Sequence, residues 1–162
     1  FIGRGDAYAA DRMYAEAVLE YKNAIQLDPN QATAHWGLAK ALIGDRRAKE
    51  GLWELQETVR LDPKNVEAMT YSAWLVVQQG QSTGSQELVQ AGLSALRGAV
   101  SVDPSYPDAH CFVAIASARF LDTPDHATAR AEAQACLDNG VDDAMRPMVE
   151  GLLASVTPTP TS

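Results

Sequence analysis

Both cysteines in this sequence, Cys111 and Cys136, and two of its three histidines, His35 and His110, are of types that bind metal ions or act as nucleophiles. A zinc site needs about four convergent ligands, usually supplied by closely spaced pairs, and no Cys or His pair here has that spacing. We therefore predict neither a metal nor a cofactor. The two histidines are better explained as core residues, and the two cysteines could pair or stay free.

Other motifs that carry chemistry are missing from the sequence. It has no glycine-rich phosphate loop, nucleophile elbow or His-Glu-x-x-His sequence, so nothing in it indicates an enzyme or a small-molecule substrate. Twenty-one acidic and thirteen basic residues give a net charge of −8, which repels a phosphate backbone. We therefore exclude nucleic acid as a partner. No apolar run approaches the roughly 18 residues of a membrane span.

A short sequence recurs along the chain. Leu27-Asp28-Pro29 returns as Leu61-Asp62-Pro63 after 34 residues, and as Val102-Asp103-Pro104 after a further 41. Proline cannot continue a helix and disfavours helical geometry in the residue before it, so each Asp-Pro step ends one repeat. A period of this kind predicts stacked pairs of helices.

The repeat resembles the tetratricopeptide repeat family. In the first repeat, six residues stand at the offsets of the family motif: Gly5, Tyr8, Ala17, Tyr21, Ala24 and Pro29. Paired helices about 8 to 10 Å apart can touch only where small side chains face each other. Three such slots hold small residues in every repeat: Gly5, Ala39, Ala73 and Ala114; Ala17, Gly51, Gly92 and Ala129; and Ala24, Thr58, Ala99 and Cys136. The resemblance implies an all-α fold, a right-handed α-α superhelix of about four helix pairs.

We expect one repeat domain over residues 1–156. Its repeats cover about residues 1–31, 32–65, 66–106 and 107–141, and a capping helix covers 142–156. Seven extra residues in the third repeat are expected to form a long turn at 80–86. In the fourth repeat, Thr123 and Pro124 predict a helix start near Pro124, and Asn139-Gly140 predicts its end. The proline-spaced residues 157–162 are typical of a disordered tail or linker.

In this family the first helix of each repeat lines a concave face, so the outward residues of these helices form the predicted binding surface. They combine aromatic and aliphatic side chains with a few basic ends, as a groove for an extended or helical peptide would need. The predicted peptide-binding residues are Trp36, Lys40, Ile43, Thr70, Tyr71, Trp74, Val77, Cys111, Phe112, Ile115 and Arg119. The alternative is that the aromatic residues pack between repeats.

Two further features bear on the partner. Some relatives hold chaperone tails with a clamp of lysines and asparagines, but Ile2 and Asp6 stand at two clamp positions, and an acid there repels a terminal carboxylate. On another helix, Leu52, Leu55 and Val59 are expected to face inward, which leaves Trp53 partly exposed. Trp53 could therefore mediate self-association or an edge contact, and the alternative is that it is one of the scattered apolar residues common on protein surfaces.

The predicted function is that of a protein-interaction scaffold binding a protein or peptide partner. Residues 14–29 are also similar to bacterial envelope repeat proteins, often lipid-anchored, that accompany export, and residues 73–110 to membrane-anchored factors of bacterial cytochrome c maturation. Either resemblance implies an extracytoplasmic location and a membrane anchor before Phe1, with the cytoplasm as the alternative. The rival functions are a self-assembling homodimer and a helical regulatory domain of a larger protein.

Overall fold

A computed structural model describes residues 1–157, so residues 158–162, which form most of the predicted tail, lie outside the described part. The described residues form nine α-helices and no strand: α1 (Ile2–Ala10), α2 (Tyr14–Leu27), α3 (Ala32–Gly44), α4 (Ala48–Leu61), α5 (Val66–Thr83), α6 (Gln86–Val102), α7 (Pro107–Arg119), α8 (His126–Asp138) and α9 (Arg146–Val156). The prediction of an all-α fold with four helix pairs and a final helix is confirmed. Within residues 1–157, none of the helices is both long and apolar enough to cross a membrane.

The chain forms two compact units, Phe1–Ser72 and Ala73–Ser162, whose boundary falls inside α5. In the first unit, buried side chains of α2 and α3 meet, and partly buried residues of α1 pack against them. The core of the second unit is supplied by apolar residues of α6, α7, α8 and α9. A single repeat domain over residues 1–156 stays a prediction.

Tyr21 of α2 occupies the space that two glycines leave in the first unit. Its side chain is only 1% exposed. A Cβ atom on Gly5 of α1 would lie 2.8 Å from its ring, and one on Gly37 of α3 would come closer still. The hydroxyl donates a hydrogen bond to Asp6 Oδ1 at 2.7 Å. Burial, this hydrogen bond and the charge of Asp6 together raise the pKa of Tyr21. The Tyr21 ring therefore joins its own helix, α2, to both α1 and α3.

The small residues predicted at the helix contacts are all buried, which confirms their packing role. Two glycines show why size matters there. A Cβ atom on Gly92 of α6 would lie 2.6 Å from Val77 Cγ2 and 2.8 Å from the Val77 backbone nitrogen. One on Gly51 of α4 would lie 2.8 Å from Ile43 Cγ1 and 3.2 Å from the Ala39 carbonyl oxygen. Each contact brings a helix backbone against its partner.

The long turn predicted at residues 80–86 is wrong. Helix α5 runs to Thr83 and α6 begins at Gln86, so the extra residues of the third repeat lengthen both helices. Gly80 is a contact glycine and not a turn residue, because a Cβ there would lie 2.6 Å from the Val89 nitrogen. Only Gly84, with φ of +70°, and Ser85 separate the helices. The hydroxyl of Ser85 caps α6 by accepting a hydrogen bond from Leu88 N.

The start predicted for α8 near Pro124 is also wrong, by two residues. The N-cap is Asp125 instead of Thr123, and α8 begins at His126. The carboxylate of Asp125 accepts hydrogen bonds from the Thr128 backbone nitrogen at 3.0 Å and from the Thr128 hydroxyl at 2.6 Å. Both side chains could cap a helix, and only Asp125 finds donors in place. The predicted end is confirmed, since α8 stops at Asp138 and Gly140 has φ of +84°.

We expect Gly37→Ala to destabilise the first unit by about 1 to 3 kcal/mol, because the new methyl group overlaps the fully packed Tyr21 ring. The matched control is Gly98→Ala in α6, where a Cβ would meet nothing within 4 Å. That change should stabilise the protein by about 0.5 to 1 kcal/mol through helix propensity. Urea unfolding followed by circular dichroism measures both. A Gly37→Ala protein as stable as Gly98→Ala would contradict the packing of Tyr21.

Loss of the Asp125 cap should destabilise the protein by about 1 kcal/mol at neutral pH in the Asp125→Ala variant. The pKa of Asp125 is lowered, first by the hydrogen bond from the Thr128 hydroxyl and then by the bond from its backbone N–H. A lowered pKa means that the stabilisation is present above the unfolded value of about 3.9 and is lost as pH falls through the folded value. The difference in the free energy of unfolding between wild type and Asp125→Ala should therefore become smaller below about pH 4. Unfolding experiments at a series of pH values measure this difference.

Asp125→Asn is the matched control, because asparagine caps helices about as well as aspartate but does not ionise. It should lose little stability at neutral pH. Equal stability of wild type and Asp125→Ala at neutral pH would show that the cap does not contribute.

Candidate binding site

The structure divides the predicted peptide-binding residues into accessible and buried sets. Six keep exposed surface: Trp36, Lys40, Ile43, Tyr71, Trp74 and Arg119. Five are buried: Thr70, Val77, Cys111, Phe112 and Ile115. The prediction that these five present side chains to a partner is therefore wrong. The accessible six remain candidates.

Helix α7 accounts for three of the five errors. All of its residues from Ala109 to Ser117 are buried, so this stretch has no face toward solvent. Residues spaced i, i+4, i+7 mark the exposed face of a helix only when its apolar residues are confined to the opposite face. In α7 the residues from Ala109 to Ser117 are mostly apolar or small on every side, so the spacing did not identify an exposed face. On α5, Val77 instead contacts α6, since it is the side chain that would meet a Cβ on Gly92. Thr70 is fully buried and its hydroxyl has no hydrogen-bond partner within the described residues.

In the first unit, Trp36 and Lys40 of α3 and Tyr71 of α5 form what we call the Trp36 surface. The Lys40 ammonium nitrogen lies 4.8 Å from the centre of the Trp36 ring, a cation–π contact. The Trp36 and Tyr71 ring centres are 6.3 Å apart, at an angle of 39° between planes. Both rings are partly exposed. The surface thus offers aromatic area beside one positive charge.

The second unit contains a second aromatic cluster. Trp74 stacks on Phe112, with ring centres 4.5 Å apart and planes within 9° of parallel. Phe120, just after α7, lies 5.9 Å from Trp74. The side chain of Gln86 holds this segment, donating to the Phe120 carbonyl oxygen at 2.9 Å and accepting from the Asp122 nitrogen at 3.2 Å. Sequence reasoning missed Phe120 and Gln86, although Phe120 follows Phe112 at i+8 on the same apolar pattern.

The two cysteines form a disulfide that joins α7 to α8. Both sulfur-bearing side chains are fully buried. Cys136 occupies one of the small slots between paired helices, so the bond lies at the closest approach of the pair. Cys111 is consequently a cross-link and offers no side chain to a ligand.

The two histidines occupy the same place in their repeats and make the same contacts. His35 is 4% exposed, with Nδ1 2.6 Å from Glu54 Oε2 and Nε2 3.0 Å from the Pro29 carbonyl oxygen. His110 is 7% exposed, with Nδ1 2.6 Å from Glu132 Oε2 and Nε2 2.9 Å from the Pro104 carbonyl oxygen.

Each ring nitrogen therefore already faces an oxygen atom, which supports the prediction of core histidines. A carbonyl oxygen can only accept, so Nε2 carries a hydrogen and the Nδ1–carboxyl contact must share another proton. Within residues 1–157, no group of three or more His, Cys, Asp or Glu side chains is placed to hold a metal ion. The arrangement ties a helix pair to the Asp-Pro turn before it.

Comparisons with known proteins bear on the fold. The family model described as a TPR repeat matches residues 5–44. TTC0263, a thermophilic TPR protein of Thermus thermophilus, shares the fold with a TM-score of 0.73 and 18% identity, over 96% of this chain and 78% of that one. A fragment of MamA from Desulfovibrio magneticus RS-1 gives a TM-score of 0.63 and 20% identity, over 93% of this chain and 72% of that one.

YrrB, described as a TPR protein with an unusual peptide-binding site, gives a TM-score of 0.56 and 17% identity, over 93% of this chain and 90% of that one. No curated protein matches the chain. At these identities the likeness to solved structures concerns the fold. The match at residues 5–44 and the fold shared with these proteins show that the chain contains a tetratricopeptide repeat and has the fold of TPR proteins.

Proposed function

We propose that this scaffold binds an apolar, extended or helical peptide segment of a partner protein, with the Trp36 surface as its main contact. The observation that carries the proposal is the partial exposure of Trp36 and Tyr71 next to Lys40. Aromatic side chains with one exposed face bind tightly because they lose little conformational entropy and release much water. Ile43, Trp74 and Arg119 are the other accessible candidates.

The distribution of charge supports this choice of surface. Although the chain carries a net charge of −8, α3 has Lys40 as its sole charged residue and α5 has only Glu67. The second helix of the same repeat, α4, is much more polar, with Lys49, Glu50, Glu54, Glu57 and Arg60. Desolvating α3 and α5 therefore costs little, whereas covering α4 would strip water from several charges. An apolar ligand should prefer the first helices.

A structural relative adds support of a different kind. YrrB, which shares the fold, is described as having a peptide-binding site. A fold can host many functions, so the argument for this chain still rests on its own side chains.

We expect Trp36→Ala to weaken peptide binding at least about ten-fold, as loss of a central aromatic anchor usually costs about 1 to 2 kcal/mol or more. The probe is an apolar peptide selected from a random display library against the wild-type protein, with affinity measured by fluorescence anisotropy. Met148→Ala is the control, since Met148 is an exposed apolar residue on α9, outside the first compact unit. Equal affinity of the folded Trp36→Ala and wild-type proteins would overturn the proposal.

We further propose that the protein works on the extracytoplasmic side of a bacterial envelope, in an assembly or export process. The buried Cys111–Cys136 bond supports this location, because structural disulfides persist in oxidising compartments and are rare in the cytosol.

The disulfide should stabilise the second unit by about 3 to 4 kcal/mol, given that its cysteines are separated by 25 positions in the sequence. A Cys111→Ala/Cys136→Ala variant, compared with wild type by urea unfolding with and without reductant, measures that contribution. In cells, a maleimide that adds mass to free thiols should modify the denatured native protein only after reduction. Labelling without reductant would contradict the proposed compartment.

A further inference from the structure

Two large apolar side chains project into solvent from equivalent positions of neighbouring repeats. Leu19 of α2 is 60% exposed, and Trp53 of α4, which follows it by the repeat spacing of 34 residues, is 57% exposed. Both lie in the first compact unit and both belong to second helices, whereas Trp36, Lys40 and Tyr71 belong to first helices. We call this patch the Leu19–Trp53 face. Exposed tryptophan is unusual on a surface with no partner and is enriched at the centres of interfaces.

The two residues occupy equivalent positions on the second helices of consecutive repeats. Because equivalent positions of stacked repeats recur on the same side, Leu19 and Trp53 both lie on the outer side of the first unit. Charged residues flank them: Lys22 lies one turn after Leu19, and Glu50, which pairs with Arg47 at 2.6 Å, lies one turn before Trp53. The pKa of Glu50 is lowered chiefly by its hydrogen bond from Arg47, and the positive charge of Lys22 adds to that effect.

The charged residues along α2 are arranged so that they complement the same residues on a second copy of the chain. Glu16 lies one turn before Leu19 and Lys22 one turn after it, and both are exposed. When two copies meet at Leu19 across a two-fold axis perpendicular to α2, their helices run antiparallel. Glu16 of one copy then faces the partner's Lys22, and the reverse contact forms at the same time. A partner with charge of only one sign would be repelled by one of the two residues.

We infer that the Leu19–Trp53 face is a two-fold interface for a second copy of this chain. Leu19 packs on its own equivalent at the axis, Trp53 packs beside it against the partner, and the Glu16–Lys22 pairs set the antiparallel register. The first helices stay uncovered, so the inference is independent of the proposed peptide binding. A dimer formed in this way would display two Trp36 surfaces.

Sedimentation velocity of the full chain, over a wide concentration range, tests the inference. The wild-type protein should show a concentration-dependent dimer. Leu19→Glu should raise the dimer dissociation constant at least about ten-fold, since it places two like charges at the axis, and Trp53→Ala should act in the same direction. Met148→Glu, at an exposed apolar site on α9, is the control and should leave dimerisation unchanged. Circular dichroism should show that every variant remains folded.

A charge exchange tests the register. Glu16→Lys and Lys22→Glu should each weaken the dimer by roughly three- to ten-fold, because the two-fold axis applies each change twice. The double variant Glu16→Lys/Lys22→Glu should restore it. Glu16→Lys also lowers the net negative charge, so general repulsion between copies would make it strengthen association instead. A strictly monomeric wild type, a dimer insensitive to Leu19→Glu, or a Glu16→Lys variant that associates more tightly would each overturn the inference.

Discussion

The close approach of paired helices is the constraint on which the rest of this structure depends. Helices can pack at about 8 to 10 Å only where neither places a bulky side chain at the contact. Gly51 and Gly92 meet this condition so closely that a single methyl group would strike the backbone or side chains of the neighbouring helix. Where one pair instead places Cys136 in the slot, the small sulfur atom reaches across and bonds to Cys111. The close approach that allows paired helices to pack thus also allows the disulfide between α7 and α8.

Once the pairs are formed, a few polar bridges fix how each pair follows the preceding turn. His35 and His110 each connect three segments: their own helix, a glutamate on the second helix of the pair, and the carbonyl group of the Asp-Pro turn before it. Buried polar groups of this kind stabilise a fold only when every donor and acceptor is satisfied. The repetition of the bridge in two repeats indicates that its role is structural.

Packing and charge also separate the surfaces that are available to partners. In the first unit, α3 buries seven of its thirteen residues and keeps Trp36 and Lys40 among those at the surface, with Lys40 as its sole charged residue. The second helices α2 and α4 carry more charged residues than α3 and α5, and their two exposed apolar residues, Leu19 and Trp53, have neighbours of both signs. An uncharged aromatic surface suits an apolar peptide, whereas a mixed-charge surface suits a copy of itself.

Local sequence alone determined the helix pairs of this protein, their small contact residues and the end of α8 at Asn139-Gly140, since each depends on neighbours within a turn or on the fixed geometry of proline and glycine. Which of the predicted binding residues are exposed to solvent was decided only by tertiary packing. The apolar and small residues of α7 are not confined to one face, so the sequence did not show which of them a neighbouring helix would cover, and Cys111, Phe112 and Ile115 are all covered. Gly80 is a turn residue by type, yet it lies in a helix, where its missing side chain lets the backbone of α6 approach closely. Glycine weakens a helix by only about 1 kcal/mol, which tertiary packing can outweigh.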